Sequence, residues 1–245
     1  MNLTKQIQNL HELFGLRNAM YLEGQRLLFL LEAVRAFAKT IRKQAPPVYT
    51  ESALASVFSW TCAFADKFKD LPIVDALREK FPPGYCAYCQ QPECQCDTGN
   101  RKDIVLAPLD PSQLKWSANE WAANLDKVYG KSNRARGIQT AVGRLYEEIG
   151  EASSAQLLEM HQPNMTLAQI RTNMSHEIAD IFAWIFVISA MLNIDLDHVL
   201  KEKYSGRHYR CGKRPCNCGP HYRNHHHVHP YVLNGDKPRS GIAVD

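Results

Sequence analysis

Apolar residues recur at three- and four-residue intervals along most of this chain, a pattern that predicts α-helices. A first helical segment is predicted to end near Gly15, and leucine and alanine then repeat at helical spacing across residues 16–42. A proline pair at 46–47 interrupts the pattern, and further helices are predicted over residues 52–68 and 73–81. No stretch alternates between apolar and polar residues for long enough to predict a sheet. The fold class is therefore predicted to be all-α.

The second part of the chain carries clearer signals for helix boundaries. Ser117 or Asn119 is predicted to begin a helix that ends near Gly130, and the next helix covers residues 145–161. A Thr-x-x-Gln capping box at residues 166–169 begins the one after it.

The longest apolar run covers residues 178–192 and has no polar face. A helix of this kind is predicted to be buried inside a bundle rather than to lie on its surface. The run carries Asp180 and is predicted to be too short to span a membrane. Asp195 is predicted to cap the last helix, which ends near Tyr204.

Two pairs of acidic residues lie on the helices of this second part. Glu148 and Glu151 are three residues apart, as are Glu177 and Asp180, so each pair lies on one face of its helix. Carboxylates on an apolar helix need partners, and a converging group of them would repel unless a cation neutralised it. Oxygen ligands alone favour Mg²⁺ or Mn²⁺. The alternative is a set of solvated charges on amphipathic helices, which is commonplace for a lone acid pair.

In this arrangement the acids resemble the signature of the MazG-like, all-α nucleoside triphosphate pyrophosphohydrolases, E-E-x-x-E followed after a spacer by E-x-x-D. A further element, Lys203-Tyr204-x-x-Arg207, is similar to a basic K-[FY]-x-x-R element that contacts phosphates in many members. The resemblance covers roughly residues 116–207, and the asparagine that many members carry is replaced here by Lys201. The residues that match the acid signature are Glu147, Glu148, Glu151, Glu177 and Asp180.

The resemblance implies hydrolysis of a nucleoside triphosphate to the monophosphate and pyrophosphate, with Mg²⁺ held by the acids. Glu147 or Glu151 would orient or deprotonate the attacking water, and the basic residues would neutralise the leaving pyrophosphate. For the basic loop before the acid helix, a solvated face remains an open alternative. The implied metal ligands are Glu148, Glu151, Glu177 and Asp180, and the implied phosphate contacts are Lys203, Arg207, Lys131 and Arg134.

The two halves of the chain resemble each other, which predicts two copies of one unit. The matching segments are residues 9–32 with 124–147, 57–60 with 181–184, and 78–81 with 201–204. Because members of the resembled family usually dimerise, the copies are predicted to form an intramolecular pseudo-dimer with one shared cleft. The acid positions of the second copy fall opposite Ala33, Ala36, Ala53 and Ser56. Further residues of the first copy that are candidates to line the cleft are Arg35, Lys39, Trp60 and Lys80, although Trp60 and Trp184 also fit core packing.

Each predicted copy ends in a cluster of potential zinc ligands. The first reads Cys-x₂-Cys-x₄-Cys-x-Cys, and the second has the same spacing with histidine in the first position. Both are standard tetrahedral Zn²⁺ sets, and closed four-ligand sites are normally structural, so these are predicted to pin the chain end of each half. Disulfides, an iron–sulfur cluster, and His221 as a substitute for His208 remain alternatives. The ligands are Cys86, Cys89, Cys94 and Cys96, and His208, Cys211, Cys216 and Cys218, with Cys62 left over as a core residue.

Composition and charge complete the prediction. The net charge of +4 fits a protein that handles phosphorylated small molecules and is too small to favour nucleic acid. The first residues lack the apolar core of a signal peptide, so a cytoplasmic protein without membrane association is predicted. The rival function is a non-enzymatic, zinc-stapled helical module that binds protein or nucleic acid through its basic end, and a further homodimer is open. The predicted segments are a degenerate copy at 1–96, a linker at 97–113, an active copy at 114–220 and a histidine-rich tail at 221–245.

Overall fold

The computed structural model describes residues 1–66, 72–96, 108–161, 166–204, 206–208 and 211–218. All regular secondary structure within these ranges is helical, which confirms the all-α prediction. Residues 97–107 of the predicted linker and the whole histidine-rich tail lie outside the described residues. The helices are α1 (Leu3–Ala19), α2 (Glu23–Arg42), α3 (Pro47–Ala65), α4 (Ile73–Lys80), α5 (Ala118–Arg136), α6 (Ile138–His161), α7 (Leu167–Met191) and α8 (Leu196–Tyr204), with a 3-10 helix at Pro111–Lys115.

Three boundaries in the first half differ from the prediction, one of which is the start of α2 at Glu23 rather than near residue 16. Helix α1 continues through Gly15 to Ala19, because one glycine costs a helix interior only about 1 kcal/mol and does not end it. Helix α3 begins at Pro47 rather than near residue 52, because proline is well accommodated in the first turn, where its missing N–H has no helical partner. Proline thus separates α2 from α3 and also begins α3.

The second half follows the predicted caps closely. Ser117 and Glu120 form a capping box at the start of α5, and Thr166 with Gln169 forms another at the start of α7. Asp195 accepts a hydrogen bond of 2.9 Å from the backbone N–H of His198 at the start of α8. Two boundaries differ from the prediction: α5 passes Gly130 and ends at Arg136, before Gly137 with its positive φ of 83°, and α6 begins at Ile138 rather than at residue 145.

Helix α7 is longer than the sequence indicated. Its stretch Ala168–Met191 has the length and composition of a membrane span, so the prediction that it is too short for one is wrong. However, 67% of the most apolar part of this stretch is buried inside the protein, as in the core helix of a soluble protein. The apolar character of α7 is therefore explained by its burial against other helices of the protein.

The core is a single hydrophobic cluster shared by both halves. Helices α3 and α7 cross in its middle, where the rings of Phe58 and Phe182 meet edge to face with centroids 5.2 Å apart. Phe186 packs beside both rings. This shared core puts the acid-bearing face of α7 in reach of elements from the first half.

The contacts between helices come in matched pairs. Helix α2 packs on α3, and α6 packs on α7; helix α4 packs on α7, and α8 packs on α3. Thus the short last helix of each half lies against the other half. We call this packing of each short last helix against the other half the crossing. It decides which basic side chains reach the acids.

Candidate metal sites

Three carboxylates converge between α6 and α7. One oxygen from each of Glu148, Glu151 and Glu177 lies within 4.8 Å of the others. The three-residue spacing on α6 brings the first two to one face, and the packing of α6 on α7 brings the third against them. We refer to these three residues and the adjacent Asp180 as the acid cluster.

Neighbouring side chains hold the acid cluster in place. Trp184 lies one turn after Asp180 on α7. Its indole Nε1 donates a hydrogen bond of 3.1 Å to Glu148 Oε1. This bond fixes the orientation of one carboxylate and leaves its second oxygen available. His176 Nε2 lies 3.1 Å from Glu79 Oε2, so the residue next to Glu177 is tied to α4.

Three carboxyl groups of the acid cluster have pKa values above their ordinary range. Burial raises the pKa of Glu148 to about 7, and the neighbouring Asp180 carboxylate is the next cause. Burial and then Asp180 likewise raise the pKa of Glu177 to about 7. Burial also raises the pKa of Asp180 itself. A divalent cation would relieve this repulsion, and the oxygen-only donor set is the type that Mg²⁺ and Mn²⁺ prefer.

The cation that the structure brings to the acids is Lys80. Its Nζ forms an ion pair with Asp180 Oδ2, and both side chains are largely buried, with exposures of 14% and 18%. Lys80 belongs to α4 of the first half, whereas Asp180 belongs to α7 of the second. It was among the first-half residues predicted to line a shared cleft.

The other basic residues predicted for this site lie elsewhere. Lys203 Nζ donates to Ser52 O, Ser52 Oγ and Ser56 Oγ at 2.5, 2.9 and 2.7 Å. Burial lowers the pKa of Lys203 to about 7. Lys131 pairs with Glu93, Arg134 pairs with Asp126, and Arg207 is exposed. In the described part of the chain, none of these four basic residues forms an ion pair with the acid cluster.

Glu147 also lies apart from the acid cluster. Its carboxylate is 55% exposed and pairs with Arg144 at 2.6 Å on the outer face of α6. A position next to Glu148 on a helix points about 100° away, so the two adjacent acids cannot share one site face. Among the two candidates for the water-orienting carboxylate, only Glu151 belongs to the acid cluster.

A pH experiment follows from the raised pKa values. Because the pKa of Glu177 is higher in the folded protein than its ordinary value of 4.5, the folded state favours its protonated form, and that contribution is lost as pH rises from about 4.5 to 7. We expect Glu177→Gln, which resembles the protonated acid, to melt at a higher temperature than the wild-type protein above pH 7 when no divalent metal is present. The difference should shrink toward pH 5. Melting curves in chelator across this pH range test it, and a difference independent of pH would contradict the burial of this acid.

The two sulfur-containing clusters have the geometry of zinc sites. The four potential ligand atoms of each lie within 4.8 Å of one another. In the first, the sulfurs of Cys86 and Cys96 are 3.8 Å apart, close to the distance of about 3.8 Å that 2.3 Å bonds to one tetrahedral zinc require. In the second, His208 Nδ1 lies 3.1 to 3.5 Å from the three sulfurs. All cysteines of these clusters are free, so the sites are compatible with structural zinc.

The two clusters share their backbone as well as their spacing. Cys86 N–H donates to Gln91 O at 2.8 Å, and His208 N–H donates to Lys213 O at 3.0 Å in the matching place. The residue four positions after each first ligand has a positive φ: 60° at Gln90 and 64° at Gly212. The same local fold therefore presents a cysteine in one cluster and a histidine in the other.

A buried hydroxyl lies beside the first cluster. The Tyr129 O–H is buried without a hydrogen-bond partner among the described residues. Burial raises its pKa, and the adjacent Cys86 is the next cause. A zinc-bound thiolate at Cys86 would accept this O–H. In the second cluster the matching residue is Phe14, whose ring packs edge to face on His208 at 5.4 Å, where no such acceptor is present.

Each zinc-type cluster lies on the opposite half, which corrects the prediction that it pins its own half. Cys94 N–H donates to Val128 O of α5 at 2.8 Å, and Cys216 N–H donates to Leu13 O of α1 at 2.7 Å. Lys131 and Arg214 add ion pairs across the same two contacts. No sequence motif predicts this crossing, because ligand spacing is a local property.

The positions in the first half that match the acid cluster have a different character. Ser56 matches Asp180 and receives Lys203, just as Asp180 receives Lys80. Trp60 matches Trp184 but stacks on Phe29 with centroids 4.6 Å apart instead of binding a carboxylate. Arg35 is paired with Glu32 at 2.6 Å. Small residues thus occupy the positions where the second half has its acids.

Sequence reasoning missed three contributors to these sites: Trp184 as a donor, the His176–Glu79 pair, and Tyr129. Trp184 and His176 flank the acid motif at helical spacing, which was an available signal. Tyr129 had no local signal, because it meets Cys86 only through tertiary packing.

Within the described ranges, the fold and its sites are those of an all-helical protein with one acid cluster and two four-ligand clusters of zinc type. No family model, no curated protein and no solved structure matches this chain. The likeness to MazG-like proteins therefore depends on the motifs of the sequence alone.

Proposed function

We propose that this protein is a Mg²⁺-dependent nucleoside triphosphate pyrophosphohydrolase of the MazG-like type. The observation that carries the proposal is the convergence of Glu148, Glu151 and Glu177, with Asp180 beside them, in a place where burial raises the pKa values of Glu148, Glu177 and Asp180. Four acids kept together at such a cost to the metal-free protein indicate a site whose working form contains cations. The sequence motif supplies the reaction class.

In this proposal the four acids hold Mg²⁺ or Mn²⁺. The metal would neutralise the phosphate oxygens and stabilise the charge that develops at the attacked phosphorus. Trp184 keeps Glu148 turned toward the site, and the Glu79 contact does the same for His176 beside Glu177. These bonds keep the carboxylates preorganised, so that little reorganisation is needed when substrate binds.

Glu151 is the residue we assign to the attacking water. Unlike Glu148 and Glu177, it is exposed, so solvent reaches its carboxylate directly. One of its carboxylate oxygens lies within 4.8 Å of oxygens of Glu148 and Glu177, so a water molecule at the site would be within its reach. A carboxylate at this position would accept a proton from the attacking water while its neighbours hold the metal.

Lys80 takes the phosphate-binding role that the sequence motif suggested for Lys203. When a metal binds the acids, the ammonium of Lys80 loses its place on Asp180, because both cations compete for one carboxylate. A lysine side chain is long and flexible enough to move from a carboxylate to a nearby phosphate oxygen. We therefore propose that Lys80 neutralises the leaving pyrophosphate.

The architecture we propose is a pseudo-dimer within one chain. Support comes from matched pairs of contacts: Lys80 with Asp180 against Lys203 with Ser56, and Cys94 N–H on α5 against Cys216 N–H on α1. Each half would lend its last helix and its zinc cluster to the other. One half retained the acids, and the other supplies Lys80.

The proposal is tested by incubating purified protein and Mg²⁺ with the common ribo- and deoxyribonucleoside triphosphates. We expect release of pyrophosphate and the nucleoside monophosphate, no orthophosphate, and no reaction in chelator. The preferred nucleotide would identify the substrate. Failure to hydrolyse any nucleotide, with zinc-loaded and folded protein, would sink the enzymatic proposal and favour the zinc-stapled binding module.

A further inference from the structure

The chain that leaves the last helix of each half is fastened to the first helix of the other half. After α4, Gly84 N–H donates to Asn124 Oδ1 at 2.8 Å, and Asn124 Nδ2 donates to Pro82 O at 3.2 Å. After α8, Asn9 Nδ2 donates to Tyr204 O at 3.1 Å. Asn9 and Asn124 occupy matching positions in the two halves. The two crossings are therefore built from the same residue type at the same place.

Each crossing continues directly into a zinc-type cluster. The first cluster begins at Cys86, two residues after Gly84, and returns to α5 through the bond from Cys94 N–H to Val128 O. Residues 82–96 are thus held on α5 at two points, and a tetrahedral metal would fix the segment between them. Such a segment has little core of its own and depends on the metal for its shape.

Helix α4 depends on this attachment. It contains only eight residues and has no side-chain cap at its N-terminus, so it lacks the length that stabilises a helix by itself. Its inner face, with Ile73, Ala76 and Leu77 buried, packs on α7. Lys80 is its last residue, only six positions before Cys86. The Lys80 ammonium therefore lies at the end of the helix that leads into the attached segment.

We propose that the four-cysteine cluster is a positioning element for the acid cluster, because its zinc fastens the end of α4 and thereby holds Lys80 at Asp180. The histidine-containing cluster fastens α8 and Lys203 in the same way, at serines where no acids are present. Zinc in the first cluster thus sets a property of a metal site in the other half. This inference rests on the acid cluster being the metal site of the proposed function.

Because the two halves match in sequence, the histidine-containing cluster provides a control variant. Cys94→Ser and Cys216→Ser remove equivalent ligands from equivalent clusters, and each should lower the zinc content by one equivalent. Lys80→Met removes the ammonium that competes with metal for Asp180. We expect Lys80→Met to bind Mn²⁺ at the acid cluster about five- to tenfold more tightly, because a positive charge beside the ligands is gone. Subtracting the Mn²⁺ spectrum of the Glu148→Gln variant from that of the wild-type protein assigns the remaining signal to the acid cluster.

The coupling is measured by a double-mutant cycle. Cys94→Ser should tighten Mn²⁺ binding in the wild-type background but change it less than twofold in the Lys80→Met background, whereas Cys216→Ser should change it in neither. Amide hydrogen exchange should quicken over residues 73–80 in Cys94→Ser and over residues 196–204 in Cys216→Ser. An equal effect of Cys94→Ser in both backgrounds, or an equal effect of the two serine variants, would overturn the proposal.

Hydrogen exchange also separates this inference from the proposed function. If no variant binds Mn²⁺ at the acid cluster, the proposed function fails, and the role of the zinc in a metal site fails with it. If hydrogen exchange over residues 73–80 is then faster in Cys94→Ser but not in Cys216→Ser, the first cluster has only the structural role of attaching α4. Unchanged exchange over those residues would exclude even the attachment.

Discussion

Glu148→Gln and Asp180→Asn should each reduce pyrophosphate release at least about 100-fold, because each removes an ionised oxygen ligand from the proposed Mg²⁺ site. The two acids come from different helices, α6 and α7, so a common effect would identify one site built from both. Burial raises the pKa of Glu148 to about 7, so its replacement by an uncharged amide should also stabilise the metal-free protein at pH 8. Loss of activity together with a higher melting temperature distinguishes a ligand from a residue needed for folding.

The measurement is the initial rate of pyrophosphate release with the preferred nucleotide, alongside thermal melting with and without Mg²⁺. Glu202→Gln is the matched control, because Glu202 is an exposed acid on α8. It should retain the wild-type rate and the wild-type melting shift with Mg²⁺. Wild-type rates in both acid-cluster variants would rule out the acid cluster as the catalytic metal site.

Removal of zinc from both sulfur-containing clusters should lower the free energy of unfolding by at least about 3 kcal/mol, or the melting temperature by roughly 6–12 °C. Both clusters join residues from opposite halves, through Cys94 to Val128 and Cys216 to Leu13, so their loss loosens the contact between halves and not only two surface segments. A strong chelator at neutral pH, followed by melting and zinc analysis, tests this.

Re-addition of Zn²⁺ should restore the melting temperature, since binding to the folded state alone stabilises it. The purified wild-type protein should contain two zinc equivalents. Cys62→Ala is the control for cysteine loss as such: Cys62 is buried in α3, apart from both clusters, and its loss should leave the zinc content at two equivalents. A protein purified without zinc, with a melting temperature unaffected by chelator, would contradict the structural role.

The sequence was sufficient for the helices, because helix formation depends on local periodicity and caps. The capping boxes at Ser117 and Thr166 and the cap at Asp195 were all read from a few adjacent residues. Gly15, Pro47 and Gly130 were wrongly interpreted as breaks, although each of these residue types has two possible roles, and the starts of α2 and α6 were also misplaced. Helix boundaries of this kind depend on which neighbours pack nearby, which a local window does not contain.

For the acid cluster, the sequence contained the residue types and their spacing. Glu148 and Glu151 share a face because of helix geometry, and the structure adds Glu177 from α7. Glu147 matched the motif as well, yet its side chain pairs with Arg144 at the surface. A motif gives the order of the residues, whereas side-chain direction around the helix decides which of them meet.

The tertiary structure decides which basic residue pairs with the acid cluster. Lys80 lies 100 positions from Asp180 in the chain, and Lys203 lies 151 positions from Ser52, although both lysines occupy matching places in the sequence. A local motif associates Lys203 with the acids of its own half. The packing of α4 on α7 and of α8 on α3 exchanges the two lysines.

The sequence by itself thus determined the helices, the ligand spacing of both sulfur-containing clusters and the face on which each acid pair lies, because these follow from φ, ψ and side-chain periodicity over a few residues. Only the tertiary structure decided that each half lends its last helix and its cluster to the other. That choice depends on burying Phe58, Phe182 and their neighbours in one common core. The free energy of that burial is a property of the whole assembled surface and has no signature within a single segment.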